Sequence, residues 1–265
     1  MCENVKYCKN PEIPDFKLTE CCGRGTAGEV WLGRDSQSTL RAVRLIRKQN
    51  HRALLQKERQ GILLYLNLRG KNDHLLEIFS FGETEEFLYC IMEPADNIAD
   101  SNGHYAPDTL AERINSRKEN ADTLLHLDAI LSGVEQLHSQ NIFHGDLKPE
   151  NILFVKNVLK IADPGLAAPA DMIPAGGSAG FRPPWNADGM ECDIYAVGKL
   201  IYMLCTHESP ARFPDIPEKY DLKKFLPLNE IALRCCERNP RFRFRSMAEV
   251  HQAFDRVRNR FPETA

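Results

Sequence analysis

The 265-residue sequence predicts an α+β fold, with a strand-rich first third and a mainly helical remainder. Three patterns carry that prediction. Short apolar stretches at 30–34, 40–46, 78–82 and 86–92 read as strands, with a hairpin between the first two. Helical spacing takes over at 51–68 and again from 108 onward. Within the second helical stretch lies a turn-rich polar octet, His144-Gly145-Asp146-Leu147-Lys148-Pro149-Glu150-Asn151, followed by the apolar run Ile152-Leu153-Phe154-Val155.

Composition narrows the class. Hydrophobic residues make up 43% and charged residues 27%, ordinary for a globular chain able to bury a sizeable core. A net charge of −3 implies no nucleic-acid and no membrane partner. No apolar run approaches the ~20 residues of a membrane span. The start, Met1 to Cys8, lacks the apolar core of a signal peptide. The nine cysteines include no Cys-x-x-Cys pair, so they are expected as reduced, cytoplasmic thiols serving as small core hydrophobes.

In chain order, residues 1–15 are polar, contain Pro11 and Pro14, and read as an extended arm. Next comes Gly23-Arg24-Gly25-Thr26-Ala27-Gly28-Glu29-Val30, a complete G-x-G-x-x-G-x-V. Such glycines let backbone N–H groups close over phosphates. A dinucleotide fold would continue with a helix; here strands follow. Alternation in the second of them puts Ala42, Arg44 and Ile46 on one face. In the helix 51–68, Glu58 falls on the face of Leu55, Ile62, Tyr65 and Leu66, where an unpaired carboxylate is costly. The stretch 95–107 is polar with Gly103 and reads as a surface loop. Thr109, with Glu112 three residues on, starts a helix. A longer helix follows, marked by Leu124, Leu127, Leu131, Val134 and Leu137.

The octet holds the chemistry. Asp146 could accept a proton from an attacking hydroxyl, Lys148 could touch a transferring phosphoryl group, and Asn151 offers a neutral oxygen to a metal ion. Asp163, in Asp163-Pro164-Gly165, supplies a second carboxylate. Two acids, an amide and a lysine suit phosphoryl transfer, where positioning and charge neutralisation do most of the work.

At these residues the chain resembles the eukaryotic-type serine/threonine protein kinases. The octet is similar to H-R-D-x-K-x-x-N with Gly145 for Arg, and Asp163-Pro164-Gly165 is similar to D-F-G with Pro for Phe. The resemblance spans about 16–258 and implies one compact kinase domain of two lobes over 1–265. A small antiparallel β lobe with one helix would occupy 16–95 and a larger mainly helical lobe 96–258, with no further domain attached. It also implies the cofactors, ATP and Mg2+. Gly23, Arg24, Gly25, Thr26, Ala27, Gly28 and Val30 would cover the phosphates. Ala42, Met92, Glu93 and Ala95 would form the adenine pocket, and Arg44 would reach the α- and β-phosphates. Asn151 and Asp163 would hold the metal. Asp146, Lys148, Arg44, Glu58 and Ser178 would form the catalytic set, with Glu58 paired bidentately to Arg44, Ser178 bonded to Asp146 and Lys148, and Asp193 bracing the octet's backbone.

Three departures stand out. Arg44 replaces the family's strand lysine, Gly145 replaces the arginine that would grip an activating phosphate, and Trp185 replaces a glutamate. Arg243 should therefore lie over the Trp185 ring or turn to Asp188 or Glu191. The expected activity is transfer of phosphate from ATP to Ser or Thr of protein substrates, slowed by Arg44. Two alternatives stay open: a pseudokinase acting as a nucleotide-binding scaffold, and a small-molecule phosphotransferase, since antibiotic kinases also carry His-Gly-Asp…Asn. The substrate and the oligomeric state leave no mark in the sequence.

Overall fold

The structure, a computed structural model, describes residues 11–25, 28–49, 52–99, 103–116, 123–174, 176–218 and 222–260. Its first part is a five-stranded antiparallel sheet in the order β1-β2-β3-β5-β4. The strands are β1 (Lys17–Arg24), β2 (Glu29–Arg34), β3 (Leu40–Arg47), β4 (Ile78–Glu83) and β5 (Phe87–Met92). Between β3 and β4 runs α1 (Arg52–Asn67), which buries Glu58, Gly61, Ile62 and Tyr65. The α1 face expected from helical spacing is thus the face that is buried.

The second part is mainly helical: α2 (Leu110–Asn115), α3 (Thr123–Ser139), α4 (Gly189–Thr206), α5 (Leu222–Cys235) and α6 (Met247–Arg258). Thr109 caps α2 by accepting a hydrogen bond from the Glu112 N–H at 3.1 Å, and Ser246 caps α6 in the same way through Glu249. α3 and α4 are the buried centre, with Leu127, Ile130, Leu131, Val134, Leu200 and Tyr202 essentially inaccessible. Two short two-stranded sheets complete this part: β6 (Ile142–Phe143) pairs with β9 (Ala168–Pro169), and the hairpin of β7 (Ile152–Val155) and β8 (Val158–Ile161) lies between them in sequence.

Of the arm expected over 1–15, residues 1–10 lie outside the described residues, while Ile13 bridges Phe16 and is buried with Leu18, Trp31 and Val43. The described parts of 95–107 are loop, as expected, and 103–107 reach β1, as described below. The seven described cysteines are thiols rather than disulfides. Among the described residues, no helix is long and apolar enough to cross a membrane.

Candidate active site

The site lies where β3, α1, the octet and the turn after β8 converge. On β3, Arg44 pairs in register with Val30 of β2 and Cys90 of β5, and Ala42 pairs with Met92. Ala42 and Met92 are buried at the start of the link to the helical lobe, where Ala95 is buried too. Gly25 N–H closes the glycine turn on the Gly28 carbonyl at 2.8 Å. A Cβ on Gly28 would overlap the Leu45 carbonyl, whereas Gly23 and Gly25 face open space. Arg24 pairs with Glu29 across the turn. Thr26 and Ala27, at its tip, lie outside the described residues. The Glu93 N–H donates to the Glu77 carbonyl at 3.1 Å, and its side chain takes Lys160 at 2.7 Å.

Arg44 does meet Glu58, Nη2 to Oε1 at 2.9 Å. The bidentate fork expected of the pair is absent, because Nη1 goes to Asp163 Oδ1 instead. One guanidinium therefore serves two carboxylates. Glu58 Oε2 is left buried with no hydrogen-bond partner. Burial pushes the Glu58 carboxyl up to about 7 against the pull of Arg44. Burial also opposes ionisation of Asp163, but Arg44's charge and hydrogen bond, with the Gly165 N–H, hold it below the usual carboxylate range.

The octet is held from beneath by Asp193 at the start of α4. Its carboxylate accepts from the His144 N–H at 2.7 Å and the Gly145 N–H at 2.9 Å, as the resemblance implied, and His138 Nε2 lies 3.0 Å away. His144 is fully buried. Its Nδ1 accepts from the Asp146 N–H, so Nε2 carries the proton that reaches the Ala162 carbonyl at 2.8 Å. Gly145 has φ +80°, a left-handed conformation that an arginine there would adopt only with strain.

Asp146 is held on both oxygens. Oδ1 accepts from the Ser178 N–H and Oγ–H, each at 2.8 Å. Oδ2 lies 2.9 Å from Lys148 Nζ and 3.1 Å from Asn151 Nδ2. Lys148 Nζ also donates to Ser178 Oγ at 2.8 Å, closing a triangle. Burial raises the Asp146 pKa, yet the bonds from Lys148 and Ser178 outweigh it and keep the carboxylate ionised. Asn151 uses its Nδ2 on Asp146, which leaves Oδ1 as the atom able to ligate a cation. Asp163 caps the turn 164–166 and keeps 38% of its side chain exposed, so that it opens to the cleft. Two hard oxygen donors of this kind fit magnesium.

A protein kinase domain model matches residues 16–243. The chain belongs to the protein kinase family. It is 29% identical over 230 residues to calcium-dependent protein kinase 4 of Plasmodium falciparum, covering 79% of this chain and 41% of that protein. It is 28% identical over 216 residues to human serine/threonine-protein kinase STK11, covering 73% and 47%. A probable serine/threonine-protein kinase of Dictyostelium discoideum is 29% identical over 213 residues, 75% and 24%. The kinase chain thus spans less than half the length of these curated relatives.

Arg243, only 5% exposed, resolves the Trp185 departure. Nη2 pairs with Glu191, Nη1 donates to the Glu237 and Arg238 carbonyls, and Cζ lies 5.2 Å from the Trp185 ring centroid. Asp188 is not a partner, because it caps α4 by accepting from the Glu191 N–H at 2.8 Å. Sequence reasoning missed Gly61 of α1. A Cβ there would overlap the Pro164 carbonyl, so the helix and the metal-side turn pack backbone to backbone. A glycine inside a helical pattern was the available signal.

Proposed function

We propose that this kinase transfers the γ-phosphate of ATP to serine or threonine hydroxyls of protein substrates. The arrangement that supports this most is the Asp146–Lys148–Ser178 triangle. In this reading Asp146, ionised and fixed on both oxygens, orients the attacking hydroxyl and takes its proton as the oxygen bonds to phosphorus. Lys148 lies beside the transferring group and offsets its charge. Ser178 holds both. Gly23, Gly25 and Gly28, with Arg24, Thr26, Ala27 and Val30, cover the phosphates. Ala42, Met92, Glu93 and Ala95 take the adenine. Asn151 Oδ1 and Asp163 would hold magnesium, whose charge neutralises the phosphate oxygens. The relatives named serine/threonine-protein kinases and Lys148 two residues after Asp146 favour Ser and Thr over Tyr.

A second reading, nucleotide binding without turnover, is favoured by one contact: Arg44 reaches Asp163, the residue needed for the metal. Transfer of radiolabelled γ-phosphate to generic protein substrates separates the two. Transfer by the native chain and none by Asp146→Asn supports the kinase reading. ATP binding with equal background for both proteins supports the second.

A further inference from the structure

The segment 103–107 connects both lobes beside the adenine pocket. Its stem belongs to the helical lobe: the Asp96 N–H donates to the Phe154 carbonyl at 2.7 Å, and the Phe154 N–H to the Asp108 carbonyl at 3.0 Å. The Asp96 carboxylate accepts from the N–H groups of Lys156 and Asn157, each at 2.7 Å, so it is committed to the β7–β8 turn and not to a ribose. The two arms zip together through the Asn97–Pro107 bridge, and the Ile98 N–H donates to the Ala106 carbonyl at 2.9 Å.

The far end reaches the sheet lobe. Glu20 Oε1 on β1 accepts from the Tyr105 N–H at 3.2 Å and lies 3.2 Å from His104 Nδ1. The Tyr105 hydroxyl donates to the Ala95 carbonyl at 2.8 Å. Ala95 is one of the residues proposed to take the adenine, and Glu20 sits three residues before Gly23. Tyr105 is half-buried, and burial raises its phenol's pKa, with the Cys22 thiol adding to it. Neither residue belongs to the catalytic set above.

We infer that 103–107 is a strap across the mouth of the adenine subsite, with Tyr105 as its closing residue, and that it slows the entry and release of nucleotide. The inference rests on the proposed ATP site. A stem fixed to one lobe and a tip fixed to the other must yield when the lobes part. Glu20, Tyr105 and Ala95 are the points where it yields, and they stand at the pocket's outer edge.

Two measurements on the full chain test it. Release of methylanthraniloyl-ATP with magnesium, followed by stopped flow, should quicken about tenfold in Tyr105→Ala and Glu20→Ala, and less in Tyr105→Phe, which keeps the ring and loses one hydrogen bond. Unchanged release in Glu20→Ala and Tyr105→Phe at an unchanged melting temperature overturns the strap. Amide hydrogen exchange without nucleotide judges the strap apart from the ATP site. Glu20→Ala should remove protection at 103–107, and equal protection in the two proteins would overturn the strap even if nucleotide binds. Should the native chain hold no nucleotide, the phosphotransfer reading fails, and a strap seen by exchange survives only as a clasp between lobes.

Discussion

Arg44 is one cation between two carboxylates. Its planar fork suits a single carboxylate held by two bonds, but it spends one N–H on Glu58 and another on Asp163. If Arg44 meets the phosphates of the proposed ATP site, a charge off line by about 1 Å is enough to cost ~10²-fold in rate. Removing it should do more, since Arg44→Ala leaves two acids facing each other beside that proposed site. Its ATP affinity, by titration calorimetry, should fall on the order of tenfold or more. Arg243 is a second residue-scale case. Glu191→Ala would strand its buried guanidinium on carbonyls and a ring face, at a cost of about 3 kcal/mol in denaturant unfolding. Strand alternation and helical spacing put Arg44 and Glu58 on inward faces, and the family resemblance implied that they pair. Asp163's share in it was not, because nothing local in the sequence records a contact between residues 119 apart.

At the scale of elements, α1 and the turn 164–166 meet through Gly61 and Gly165, the latter lying against the Glu58 carboxylate. Alanine is a better helix former than glycine by about 1 kcal/mol, so local propensity says Gly61→Ala should stabilise α1. The packing says the reverse. The added methyl would overlap the Pro164 carbonyl and push α1, and Glu58 with it, away from Arg44. Gly61→Ala should lower both the melting temperature and ATP affinity; a stabilised, fully binding variant would contradict this docking. Propensity cannot show such a contact, just as the polar composition of 95–107 could not show that the loop returns to β1.

A second contact between elements is pH-dependent. His251 of α6 lies 2.6 Å from Glu135 and 3.2 Å from Asp128 of α3, with Asp255 and Arg258 beside it. Burial lowers its pKa, but the bonds to Glu135 and Asp128 raise it further, above the ordinary 6.5. A raised imidazole pKa stabilises the fold fully below the unfolded value and loses that effect as pH climbs through the folded one. The native chain should therefore lose stability relative to His251→Gln as pH rises above about 6.5, as read from paired urea melts. A difference that stays flat with pH would show that folding leaves the His251 pKa unshifted.

For the whole molecule, the order of elements was readable because glycine turn, strand pair, helix and octet each carry strong local signals. What stayed hidden was how the lobes are joined. The lobes meet at the Arg44–Glu58–Asp163 cluster and along 103–107. None of these joints requires a phosphate. Gly145 offers no guanidinium, and the only hydroxyl from Asp163 to Pro184 is Ser178, already bonded to Asp146 and Lys148. Phosphatase-treated protein should therefore start transfer without a lag, and phosphopeptide mapping should find no activating phosphate within 163–184.

In the proposed reading the catalytic assembly is intact and Arg44 sets its pace. The measurement that decides it is kcat for γ-phosphate transfer by Arg44→Lys beside the native chain, both phosphatase-treated, with Asp146→Asn as the blank. A lysine is a point charge that can sit between two phosphates and still reach Glu58. A clear rise in kcat over the native chain is expected, approaching tenfold or more. A fall in kcat would contradict it, showing a pocket built around arginine in which the Asp163 contact is part of the working state.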